Sequence, residues 1–106
     1  MTELRRGDVA WLEMKPAHGH EQGGHRPHLV LTDDQFHDLR RMAIVVPLTT
    51  AHRRWPTRVP VGENSYAICE QPRSVSLERI TKVESTGYDV NEARRIINYL
   101  MGGQIS

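Results

Sequence analysis

The chain has 106 residues, 38% hydrophobic and 25% charged, with a net charge of +1. That suits one domain over residues 1–106 with a real core, and it excludes a composition of the disordered kind. No apolar run nears the roughly 20 residues of a membrane helix, MTELRRGD has no signal-peptide hydrophobic stretch, and the single cysteine, Cys69, excludes an internal disulfide and a cysteine-rich zinc site.

In chain order, Arg6 and Gly7 read as an entry turn to a first strand, Val9–Met14. Lys15–Pro27 holds Pro16, Gly19, Gly23, Gly24 and Pro27 and reads as one polar loop, long for so small a domain and therefore a place for function. Leu29–Thr32 is a buried second strand. Asp33–Arg41 is polar, with room for one helical turn. Met42–Thr49 is a third strand, in which Pro47 predicts an edge position or a bulge. Thr57–Val61 and Tyr66–Glu70 are the fourth and fifth strands. Ser74–Ile80 holds a short helical turn, and Thr81–Glu84 a last strand. A C-terminal helix starts at Asp89 as N-cap, with Glu92 completing a capping box. Val90, Ala93, Ile96, Ile97, Leu100 and Met101 then recur at helical spacing until Gly102 and Gly103 stop it. The pattern predicts a mainly β, α+β fold: a small, strongly bent antiparallel barrel with a C-terminal helix.

Three clusters carry chemistry. The first is Gly19–Pro27, where glycines bring backbone N–H groups close to a ligand, Arg26 offers a two-pronged contact to phosphate, and Pro27 stiffens the return to the sheet. Glu21, His20 and His25 can each move a proton. The second is Thr49-Thr50 at a strand end, two hydroxyl donors for an anionic oxygen, followed by His52, Arg53 and Arg54. The third is Glu70-Gln71-Pro72-Arg73-Ser74. Twelve of the fourteen basic residues are arginine, the cation better shaped for phosphate, and all six histidines fall within the first 52 residues. His18 and His20 have the spacing of a metal-ligand fragment, but no cysteine lies near and no metal is expected.

The order of these segments resembles the MazF/PemK family of toxin endoribonucleases from bacterial toxin–antitoxin pairs. Its opening RGD-V/I-W element is matched by Arg6-Gly7-Asp8-Val9-Ala10-Trp11. Its G-x-E-Q-x-G-x-R-P loop is matched at Gly19, Glu21, Gln22, Gly24, Arg26 and Pro27. The strand ending in threonine is matched by Val45–Thr50, and the D/E-Q-x-R/K-S/T segment by Glu70, Gln71, Arg73 and Ser74. The resemblance covers most of residues 5–84. Pro72 departs from it, standing where the family has an aliphatic residue.

The resemblance implies an SH3-like, CcdB/PemK-type barrel and a sequence-specific, metal-independent cleavage of single-stranded RNA. The RNA's own 2′-hydroxyl attacks, leaving a 2′,3′-cyclic phosphate and a 5′-hydroxyl. It implies Arg26 and Thr49 as the catalytic pair, Arg26 stabilising charge on phosphorus and a candidate proton donor, Thr49 holding a phosphate oxygen. Glu21 is the candidate base, or else orients Arg26. Gln22, Gly24, His25, Thr50, Arg53, Arg54, Gln71 and Arg73 are candidates for binding RNA. Trp55 serves either base stacking or a dimer or core contact. No cofactor is expected. The implied partners are a second copy of the chain and an acidic, MazE-like antitoxin, and the expected location is the cytoplasm. The alternatives are a non-enzymatic gyrase poison on the same fold, as the CcdB-type toxins are, a passive RNA-binding module, and a histidine-ligated metal hydrolase.

Overall fold

Runs that alternate between two buried faces build most of this molecule, whose computed structural model describes residues 3–14 and 24–103. The elements are β1 (Val9–Met14), β2 (Gly24–Val30), α1 (Asp34–Arg40), β3 (Met42–Thr49), β4 (Arg58–Gly62), β5 (Ser65–Ile68), β6 (Arg73–Ser76), a 3-10 turn (Leu77–Arg79), β7 (Ile80–Glu84) and α2 (Asn91–Leu100). All pairings are antiparallel, in the order β4-β5-β3-β2-β1-β7, with β6 also on β3.

Strong bending follows from the connectivity. β6 and β7 are opposite edges of the set β6-β3-β2-β1-β7, yet only the three-residue 3-10 turn joins them. A flat sheet would hold those edges several strand spacings apart, about 4.8 Å each, so the sheet must curl. A bulge on β7 at Thr81, which is left over between Trp11 opposite Lys82 and Leu12 opposite Ile80, supplies part of the bend. Inside the curl lie Leu4, Ala10, Leu12, Val30, Ala43, Val45 and Val75. The other face of the same strands presents Val9, Leu29, Val46 and Leu48 to β4, β5 and Val90 and Ala93 at the start of α2. Consecutive residues therefore serve opposite cores, which is why these strands read as unbroken apolar runs.

The structure revises several expectations. β2 begins at Gly24, inside the expected loop, because Met14 to Val9 pair with Gly24 to Leu29 and extend the hairpin over polar residues. Leu31 and Thr32 lie beyond its end. Lys15–Gly23 lies outside the described residues. Pro47 stands in a central strand rather than at an edge. Its neighbours on one side are β6, which pairs as far as Val45, and β5, which starts at Leu48, so its missing N–H falls where neither partner needs it. The polar segment Asp33–Arg41 holds a seven-residue helix, capped by Asp33 Oδ1 accepting from the Phe36 N–H at 3.1 Å. Ser74–Ile80 is strand first and 3-10 turn second. The expected capping box at Asp89 and Glu92 does not form. Buried Val90 takes the N-cap position, Asp89 Oδ1 accepts from Asn91 N–H at 2.8 Å, and Glu92 turns to Arg95, whose Nη2 donates to it at 3.0 Å.

Candidate active site

Arg26 sits on β2 and Thr49 ends β3. These strands pair with Val30 opposite Val45, Leu29 opposite Val46 and His28 opposite Pro47. The same register carried two residues further sets Arg26 against Thr49, beyond the last ladder pair. Both line one cavity of about 440 Å³. Its floor is apolar, from Val9, Pro27 and Leu48. One rim carries His25, Arg26, Thr49, Thr50 and Ser65, and the other Trp11, Glu84, Thr86 and Tyr88.

The polar atoms of this cavity are oriented. Thr49 Oγ1 accepts from the Ala51 N–H at 3.1 Å, which leaves the hydroxyl proton to donate into the cavity. The Thr81 hydroxyl donates to the Trp11 carbonyl at 3.1 Å, so it has no proton left for His25, and His25 Nδ1–H must donate to it at 2.8 Å. In the neutral ring the lone pair then lies on Nε2. His28, only 1% exposed, donates from Nδ1 to the Arg26 carbonyl at 3.0 Å and so pins the backbone that carries the guanidinium.

The far rim depends on Gly7 of the Arg-Gly-Asp run. Its carbonyl accepts from Tyr88 N–H at 3.0 Å and from the Thr86 hydroxyl at 2.6 Å. Gly7 has φ +93, and a Cβ there would lie 2.5 Å from the Tyr88 carbonyl oxygen, so only glycine allows this close approach. The motif thus holds residues 86–88 in place as a wall.

The other expected site residues fall elsewhere. Gly24 is opposite Met14 at the start of β2. Arg53 and Arg54 are exposed on the segment after Thr50. Gln71 is exposed beyond β5, its N–H donating to the Ile68 carbonyl at 3.1 Å. Arg73 is half-buried on β6 opposite Val45, its charge felt at His28. Trp55 is 53% exposed, with the Arg58 guanidinium 5.0 Å over its ring, and belongs to neither core. Glu21, Gln22, His18 and His20 lie outside the described residues. Trp11, Glu84, Thr86, Tyr88 and His28 were not singled out from the sequence. The tryptophan of the opening motif was the one signal toward them.

Burial holds the His28 imidazole below its ordinary value, and the Arg73, Arg26 and Arg79 charges push the same way against the favourable bond to the Arg26 carbonyl. The unfolded chain protonates His28 near pH 6.5 and the folded chain only at lower pH. In that window the unfolded state holds the extra proton, so stability is full above it and falls as the pH drops through it. Thermal unfolding followed between about pH 7.5 and 5 should show this decline, with a shallower slope in His28→Asn. Equal slopes would remove His28 as a cause. Cys69 is buried and its thiol is pushed up to about 11, first by burial and then by Glu70 and Glu92, so it offers no thiolate at neutral pH.

Comparison with known proteins places this geometry. Residues 5–97 match the model of the PemK-like, MazF-like toxins of type II toxin–antitoxin systems. Over 73 residues the chain is 32% identical to the endoribonuclease toxin MazF of Escherichia coli K12, covering 66% of each chain, just under two thirds of that relative's length. It is 32% identical over 87 residues to the endoribonuclease EndoA of Bacillus subtilis 168, covering 74% of this chain and 75% of that one. Its fold superposes on a crystal structure of MazE-MazF from Deinococcus radiodurans with a TM-score of 0.81 and 25% identity, over 98% of this chain and 100% of the other. A match that runs from the Arg-Gly-Asp turn through the cavity to α2 shows that this chain belongs to the PemK-like, MazF-like toxins of type II toxin–antitoxin systems.

Proposed function

We propose that the chain is an endoribonuclease toxin that cuts single-stranded RNA at particular sequences, through the RNA's own 2′-hydroxyl and without a metal. The observation that carries this is the shared cavity of Arg26 and Thr49, on neighbouring strands of a protein of this family. Arg26 stabilises the charge that builds on phosphorus. The Thr49 proton, left free by the bond from Ala51, donates to a non-bridging oxygen and keeps the phosphate in line. Glu21 accepts the 2′-hydroxyl proton, or orients Arg26 while solvent accepts it. As the new bond from the 2′ oxygen to phosphorus forms, the bond to the 5′ oxygen breaks and that oxygen takes a proton from Arg26 or from solvent. His25, with its Nε2 lone pair, and Thr50 contact the RNA beside the scissile phosphate. Arg53, Arg54, Gln71 and Arg73, with Gln22 and Gly24, engage the strand to either side. The products are a 2′,3′-cyclic phosphate and a 5′-hydroxyl.

The relatives support the activity, since those in Escherichia coli and Bacillus subtilis are named endoribonucleases. They support the partner too, since the Deinococcus neighbour is a MazE-MazF structure. An acidic, MazE-like antitoxin would cover the arginines around the groove, and the working unit is a homodimer in the cytoplasm. Among the described residues no helix is long and apolar enough to cross a membrane.

The test is direct. Purified protein incubated with a mixed-sequence RNA in excess EDTA should cut it at discrete sites, and every new downstream fragment should accept phosphate from polynucleotide kinase without prior dephosphorylation. Intact RNA, or cutting that EDTA abolishes, would overturn the proposal.

A further inference from the structure

Glu84 is the one carboxylate among the described residues that line the cavity, and the mechanism above gives it no task. It lies on β7 opposite Val9, diagonal to Trp11, which pairs with Lys82. The Trp11 indole N–H donates to Glu84 Oε1 at 2.6 Å across 73 residues of sequence. No cationic side chain among the described residues comes within 4.0 Å of this half-buried carboxylate. It is held in place by the indole, without an ion-pair partner among the described residues, in a groove that also holds Arg26.

A carboxylate repels the phosphates of RNA and can only accept hydrogen bonds. The donors RNA brings are the 2′-hydroxyl and the N–H groups of bases. Unpaired bases are read in single strands on their Watson–Crick edges, with aromatic side chains against their rings. Trp11, bonded to Glu84, and Tyr88 are the aromatic residues that line the same cavity. Guanine is the base that presents two neighbouring donors on that edge, N1–H and the N2 amine. Adenine and cytosine present one amine, and uracil one N–H between two carbonyls that the carboxylate would repel. Glu84 Oε2 and the remaining lone pair of Oε1 match guanine's two donors.

Resting on the endoribonuclease reading, we propose that Glu84, oriented by Trp11, is a specificity-determining residue that selects guanine next to the scissile phosphate. The indole fixes one oxygen so that the pair of acceptors faces the groove before RNA arrives. The charge that weakens binding of the backbone is repaid only by a base able to donate twice.

The experiment compares 5′-hydroxyl ends produced from one random-sequence RNA pool by the native protein and by Glu84→Gln. The variant keeps the shape and an oxygen for Trp11 but turns one acceptor into a donor. The native protein should enrich guanine at one position flanking the cut, and the variant should lose about tenfold or more of that enrichment, the size of one good two-pronged base contact, while preferences at other positions persist. A companion measurement needs no variant. Inosine, which lacks the N2 amine, should slow the native protein when it replaces that guanine, and should slow Glu84→Gln much less. The proposal falls if the native protein shows no guanine preference, or if Glu84→Gln slows all sites equally and leaves the enrichment intact, as a general base or a structural residue would. Cutting without guanine selection leaves the endoribonuclease reading standing, whereas no cutting of any RNA removes both.

Discussion

An oligonucleotide whose ribose on the 5′ side of the scissile phosphate is replaced by 2′-deoxyribose should survive an incubation that cuts the all-ribose version completely. The reason lies in what the cavity offers as a nucleophile. Among the hydroxyls that line it, Thr86 is spent on the Gly7 carbonyl and Thr49 is turned by the bond from Ala51 to donate rather than attack. The thiol of Cys69 is buried and protonated. The substrate brings a nucleophile that none of these can match, because its 2′-hydroxyl is already tethered next to phosphorus. Tethering of this kind is worth effective molarities of about 10⁵ M or more, so removing the hydroxyl should cost at least about a thousandfold in rate. The same chimera should bind nearly as well as the all-ribose strand, because one hydroxyl among many contacts is lost. Normal cutting of the chimera would show that an enzyme group or a bound water attacks instead.

Much of this fold could be read along the chain, and the exceptions share a cause. β1 and β3 were legible because each is an apolar run whose middle, Val9–Leu12 and Val45–Leu48, sends side chains to both cores. Gly24–Pro27 read as loop because polar residues carry no alternation, and only pairing with Met14 to Trp11 makes them strand. Pro47 pointed to an edge because its tolerance depends on two other strands changing places beside it. Asp89 looked like a cap because sequence spacing does not show that Val90 is drawn into the core one residue later. For the site, the order of motifs was enough to bring Arg26 and Thr49 to attention together. The contacts that orient them were not legible. His28 falls between the expected loop and the expected strand and carries no mark until its bond to the Arg26 carbonyl is seen, and Glu84 has no local mark at all, since its partner Trp11 lies 73 residues away.

Removing the guanidinium is the second large effect expected. Arg26 is exposed and belongs to neither core, so Arg26→Ala should leave the unfolding temperature within the range of ordinary surface changes, about 0.5 kcal/mol in stability. The cutting rate under single-turnover conditions should fall by about 10² to 10³, the scale set by losing one preorganised donor to a developing anion. Arg26→Lys should recover only part of this, because an ammonium gives a point charge where the planar fork gives two parallel bonds. Thr49→Ala should also slow the step and Thr49→Ser should restore it, since the serine hydroxyl can accept from Ala51 and donate to phosphate in the same way. If the two side chains grip one phosphate together, Arg26→Ala with Thr49→Ala should cost much less than the product of the single losses. Losses that multiply fully would mean that the two residues act at separate points of the RNA. Full activity in both single variants would mean that the shared cavity is not where the phosphodiester is cut.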